Sequence, residues 1–186
     1  MMQAIFIGTL LWIILRALLL LKGKSYKDIS IKREIIFNTF VIYCIAVIVV
    51  TFPVTPNLRG IHKTQIVIGF IPFVDEISSF QQSTFSLNFK VRILVKNFAG
   101  NLLLLLPMGV LLPLLWAKFR SLKKLVMIGV TVSLAIELTQ LIFAYFGLGI
   151  RTPDIDDVIL NTIGAMIGYS LYSEFLIRLR FFAYLE

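Results

Sequence analysis

The chain has 186 residues, 59% of them hydrophobic and 15% charged, with a formal charge of +8 and a mean hydropathy of +0.93. That is too apolar for a water-soluble domain of this length and identifies an integral membrane protein. A single cysteine, Cys44, and a single histidine, His62, exclude a disulfide framework, a clustered Cys/His zinc site and most Ser-His-Asp arrangements within one chain.

A spanning helix needs about 20 largely apolar residues to cross about 30 Å of hydrocarbon. Residues 4–21 form the first such stretch. They lack a basic N-terminal region and an A-x-A-like site, so they are expected to remain as a span rather than be removed as a signal peptide. Arg16, near the end of that span, is expected to snorkel to the interface. The second span is predicted over 35–52, with Cys44 as a small residue inside it. Residues 53–97 are mixed, and their apolar patch "IVIGFIPF" is too short to span and carries Gly69 and Pro72. We expect this segment to be re-entrant or to lie on the outer surface. Further spans are predicted over 98–117, 125–146 and 155–177. The fold class is therefore an all-α, polytopic transmembrane helix bundle of one domain with about five spans.

The basic residues orient it. Lys22, Lys24, Lys27, Lys32 and Arg33 lie between spans one and two, Lys118, Arg120, Lys123 and Lys124 between spans three and four, and Arg178 and Arg180 after span five. By the positive-inside rule these mark the cytoplasmic side, with the N-terminus outside and the C-terminus inside. Their clustering beside apolar runs argues for topology and against nucleic acid as a partner.

Polar side chains then fall toward the outer half. Asn97 and Asn101 are one turn apart at the start of the third span. Ser133, Glu137 and Gln140 share a stripe on the fourth, with Glu137 about 13 Å below its outer end. In the loop "GLGIRTPDIDD", Asp154 is a plausible N-cap after Pro153, and Asp156 and Asp157 occupy the first turn of the fifth span. Asp157, Asn161, Gly164 and Gly168 recur at spacings of four, three and four on one face. Gly164 and Gly168 form a G-x-x-x-G pair whose ordinary role is close helix packing, and Pro107 and Pro113 are expected to kink the third span. Glu137 stands out, because an acid inside a span costs on the order of 2.5–3.5 kcal/mol and faces a partner or a wet cavity. Arg151 is its candidate partner.

Three segments together, "NFAGNLLLLLPMGVLLP", "SLAIELTQLIF" and "RTPDIDDVILNTIGAMIGY", resemble the VanZ-like family of small bacterial membrane proteins. The pattern is an N-x-x-x-N pair leading to P-x-G, an E-x-x-Q helix, and an R…D-x-x-D-x-x-x-N-x-x-G-x-x-x-G close, over roughly residues 65–172. Position by position it singles out Asn97, Asn101, Pro107, Gly109, Glu137, Gln140, Arg151, Asp154, Asp157, Asn161, Gly164 and Gly168. Gly69 stands where the family often has Asn in N-L-I-P-F. The resemblance implies resistance to lipoglycopeptide antibiotics, teicoplanin above all, in a bacterial cytoplasmic membrane.

The expected function is binding of a lipid or lipid-linked ligand in a polar cavity at the outer leaflet, with membrane lipids, a lipid-linked cell-wall precursor or a lipoglycopeptide as partners. The alternative is an enzyme acting on a lipid head group, with Glu137 as general base and Asp154, Asp156 and Asp157 holding a divalent cation such as Mg²⁺. A transporter is a third option, which five spans without a repeat make harder to build from one chain, though not from a homo-oligomer. No cofactor is otherwise expected.

Overall fold

In hydrocarbon no water satisfies backbone amides and carbonyls, so an apolar chain must hydrogen-bond to itself, and helices do this within one segment. The computed structural model describes residues 2–22, 30–52, 78, 85–146, 148 and 153–176. The apolar patch with Gly69 and Pro72, and Arg151, lie outside the described residues. Among the described residues there is no β-strand, and five α-helices follow one another: α1 Met2–Lys22, α2 Ile31–Thr51, α3 Leu87–Leu115, α4 Leu122–Tyr145 and α5 Ile155–Leu171. A 3₁₀ turn, Ala117–Phe119, links α3 to α4, and a π-helical turn, Tyr172–Leu176, continues α5. The first four are long and apolar enough to cross a membrane.

Two boundaries depart from the expected spans. The third helix begins at Leu87 rather than 98, so the last residues of the 53–97 segment are helical and continuous with the span. Hydropathy registers where lipid ends; Lys90, Arg92 and Lys96 are good helix formers, and neither Gly nor Pro interrupts residues 86–97. The fifth helix has 17 α-helical residues followed by five in π geometry, where an uninterrupted span over 155–177 was expected.

Contacts along the helices show that neighbours alternate in direction. Trp12 and Arg16 of α1 meet Asn38 and Glu34 of α2. Tyr43 of α2 donates to the Leu104 carbonyl of α3 (2.8 Å), and Phe40 packs edge-on against Trp116 beyond its far end (5.5 Å). Ser133 of α4 meets Asn161 of α5. By contrast α3 and α5 run parallel, because Asn101 meets Asp157 and the Leu106 carbonyl faces Gly168. One end of the bundle therefore collects the end of α2, the end of α4 and the start of α5. We call it the aspartate end. The opposite end carries Lys32, Arg33, Lys118, Arg120, Lys123 and Lys124.

Helix α5 is the centre, packed against α3 on one side and α4 on the other. Lipid supplies no hydrophobic drive for this association, so close van der Waals packing must supply it. A Cβ added to Gly164 would strike the Leu102 carbonyl oxygen, and one on Gly168 would strike that of Leu106. One on Gly109 would strike the Ala165 carbonyl oxygen, with the Tyr169 amide nitrogen 2.9 Å away. The two backbones thus touch with no side chain between them, a spacing that permits Cα–H···O contacts. Leu105, Met108, Leu112, Leu125 and Ala165 complete the core around this seam.

Helix α1 packs on α2 alone among the stronger helix contacts. Arg16 is more than a snorkelling anchor: its Nε and Nη2 donate to Glu34 Oε1 and Oε2 at 2.6 and 2.7 Å. Asn38 donates to the same carboxylate (3.0 Å) and accepts from the Trp12 indole (2.8 Å), while the guanidinium lies 5.2 Å from the Phe37 ring centre. Bidentate geometry and a stacked ring offset the cost of holding two charges beside lipid.

Two outcomes follow for thermal unfolding of the purified protein in detergent. Gly164→Val and Gly168→Val should each destabilise by about 3 kcal/mol or more, the upper end for overpacking, whereas Gly100→Ala, where a Cβ meets nothing within 4 Å and alanine is the better helix former, should not lower the midpoint. Arg16→Met alone should lower the midpoint further than the Arg16→Met/Glu34→Gln pair, since the single change strands the carboxylate.

Candidate functional site

On α4, Ser133, Glu137 and Gln140 recur at intervals of four and three, so they project from one face. That face is turned inward, and their relative exposures are 0%, 7% and 3%. Glu137, the middle one, meets the start of α5. The Asp154 side chain caps that helix, its Oδ1 accepting from the Asp156 amide (3.0 Å). The Asp154 amide in turn donates to Glu137 Oε2 (3.0 Å). Glu137 is thus bound to the backbone at the start of α5, where unsatisfied amides and the helix dipole favour negative charge.

A turn deeper, Asn161 Nδ2 donates to Ser133 Oγ at 2.8 Å. Its Oδ1 is buried and accepts from no group among the described residues. Gln140 reaches the other way, its Nε2 donating to the Thr51 carbonyl at the end of α2 (3.3 Å), and its Oε1 is likewise buried without a described donor. Asp157 accepts from Asn101 Nδ2 of α3, and Asp156 is 1% exposed. Four helices therefore contribute polar groups to one buried cluster. Its buried polar members among the described residues are Thr51, Ser133, Glu137, Gln140, Asp156 and Asn161.

The sequence-derived site residues divide accordingly. Asn101, Glu137, Gln140, Asp154, Asp157 and Asn161 come together, and Gly109, Gly164 and Gly168 form the seam beneath them. Asn97 does not join the cluster; it is exposed. It shares a face with Asn101, yet one turn along α3 is about 6 Å, which carries it past the start of α5. Arg151 lies outside the described residues. As for a cation, no three His, Cys, Asp or Glu side chains converge as a metal site requires among the described residues, and Asp154 already commits one oxygen to its cap.

One member escaped the sequence. Thr51 ends an apolar run and reads as a boundary residue, yet it is 1% exposed and its carbonyl anchors Gln140. Only a contact between elements distant in sequence would have revealed it. Asp156, expected in the first turn of the fifth span and as a candidate cation ligand, is among the most buried side chains.

With this arrangement in view, the comparison with protein families is decisive. The family model described as VanZ/LLP1 matches residues 40–178. The chain belongs to the VanZ/LLP1 family. No curated protein and no solved structure matches it. The matched region holds every residue of the polar cluster and the glycine seam, and it begins earlier than residue 65, taking in most of α2. The α1 helix and its Arg16–Glu34–Asn38 network precede the VanZ/LLP1 region.

In this VanZ/LLP1 bundle, Ser133→Ala should leave a buried Asn161 amide without its acceptor and lower stability by about 1–3 kcal/mol. The Ser133→Ala/Asn161→Leu pair should cost less than the sum of the two single changes, as coupled residues do, when the four proteins are unfolded side by side.

Proposed function

We propose that this VanZ/LLP1 protein binds the polar head of a lipid or lipid-linked ligand at the aspartate end, on the outer leaflet of a bacterial cytoplasmic membrane, and so limits the action of lipoglycopeptides such as teicoplanin. One observation carries the proposal: the cluster holds more hydrogen-bonding capacity than its helices consume. Two buried amide oxygens, Gln140 Oε1 and Asn161 Oδ1, face no donor among the described residues, and such acceptors are costly unless something supplies one.

The chemistry of the cluster narrows the ligand. Two buried amide oxygens that accept from nothing among the described residues favour groups that donate, such as sugar hydroxyls or an ammonium. Binding rather than turnover is the role this supports, with Glu137 held at the start of α5 beside the two amide oxygens. The outward placement rests on the clustered lysines and arginines of the opposite end, which the positive-inside rule assigns to the cytoplasm.

The test uses a strain lacking the protein, complemented with wild type or Glu137→Gln at equal abundance in the membrane, with teicoplanin and vancomycin compared. Wild type should restore teicoplanin tolerance and Glu137→Gln should not. Equal restoration by both would make Glu137 structural and remove the proposed role of the cluster.

A further inference from the structure

Beside the polar cluster, the structure contains a cavity of about 430 Å³ between α2 and α4, floored by α3. Tyr43, Val47 and Ile48 on α2, Met108 on α3, and Val132 and Ile136 on α4 are among its walls. Both hydroxyls in the wall are turned away to backbone: Tyr43 donates to the Leu104 carbonyl (2.8 Å) and Thr139 to that of Ala135 (2.7 Å). A buried water needs two to four polar partners, and these walls offer none. The volume lies within the range of small-molecule sites.

Its shape says what fits. The lining on α2 runs from Phe40 to Phe52, about 18 Å of helix, which is close to one leaflet of a hydrocarbon core about 30 Å thick. At the aspartate end the two walls are tied together by Gln140 donating to the Thr51 carbonyl (3.3 Å) and by the Phe52 and Phe143 rings, 5.6 Å apart. Along the rest of its length α2 and α4 stand apart over α3, and the exposed Ile48 and Ala135 mark an opening to the side. The cavity is thus an apolar slot, one leaflet long, open laterally and ending at a residue of the polar cluster.

We propose that this slot is an acyl-chain subsite: it takes one hydrocarbon chain of a membrane lipid laterally from the bilayer, with the chain's polar end held toward Gln140. The assignment rests on the head-group role proposed above. It adds the requirement that the ligand be acylated, and a length of chain matched to one leaflet. The Gln140–Thr51 contact closes the slot at its polar end and is the point where head group and chain would meet.

The test is photolabelling of the full-length protein in vesicles containing phosphatidylglycerol with a diazirine midway along one acyl chain, followed by peptide mapping. Labels should concentrate on residues 40–52 and 128–139, about tenfold above Phe6, Leu10 and Leu11 of the lipid-facing α1, a ratio corresponding to about 1.4 kcal/mol. Ala135→Trp and Val47→Trp, which fill the slot from opposite walls, should each reduce labelling there to the α1 level; if either fails to fold, the wild-type map and the other variant decide. Uniform labelling of α1 and the slot, or slot labelling untouched by both tryptophans, would overturn the subsite. The two proposals separate cleanly. Slot labelling that persists in Glu137→Gln, together with unchanged antibiotic tolerance, upholds the chain site and removes the head-group role, whereas uniform labelling with tolerance lost in Glu137→Gln does the reverse.

Discussion

Everything at the aspartate end depends on how closely α3 and α5 approach. With Gly109, Gly164 and Gly168 at the seam, carbonyl oxygens of one helix occupy the space where side chains of the other would stand. Such contact is the means of association left to helices in lipid, where apolar surface gains little by leaving one apolar surrounding for another. Because the two helices run parallel, their contact also sets a register: Asn101 arrives beside Asp157, one turn into α5. A single methyl group at Gly164 would move that meeting point, and with it the surroundings of Glu137.

Helix α4 then reads the other side of α5. Its buried stripe delivers Ser133 to Asn161 and Glu137 to the Asp154 amide, so each polar side chain is placed by a different level of the same interface. Gln140 turns to α2 instead, and this division leaves α2 and α4 tied at one end and parted along the rest. The slot is therefore a by-product of α5 taking the central position: α4 packs on α5, α2 packs on α3, and the space between them is filled by neither.

Much of this was legible in the chain. Apolar runs located the helices, Pro153 and Asp154 announced the start of α5, and the spacing of Asp157, Asn161, Gly164 and Gly168 showed that they share a face. Periodicity reports which residues lie on one side of a helix, but not which helix they meet or at what height. Asn97 and Asn101 satisfy the same spacing, and only one of them reaches α5. Glu34 sits among Lys32 and Arg33 and reads as part of a charged loop, until Arg16 is found across from it. Thr51 reads as the end of an apolar run, although the Gln140 contact gives its carbonyl a partner 89 residues away in sequence.

The unequal heights of the helices have one more consequence. Glu137 lies eight residues before the end of α4, about 12 Å, and α3 continues well past Asn101 in the other direction along its axis, whereas α5 begins at the level of the cluster. Among the described residues two helices thus extend past a third that starts lower down. A bilayer meeting so uneven a boundary adjusts by local thinning.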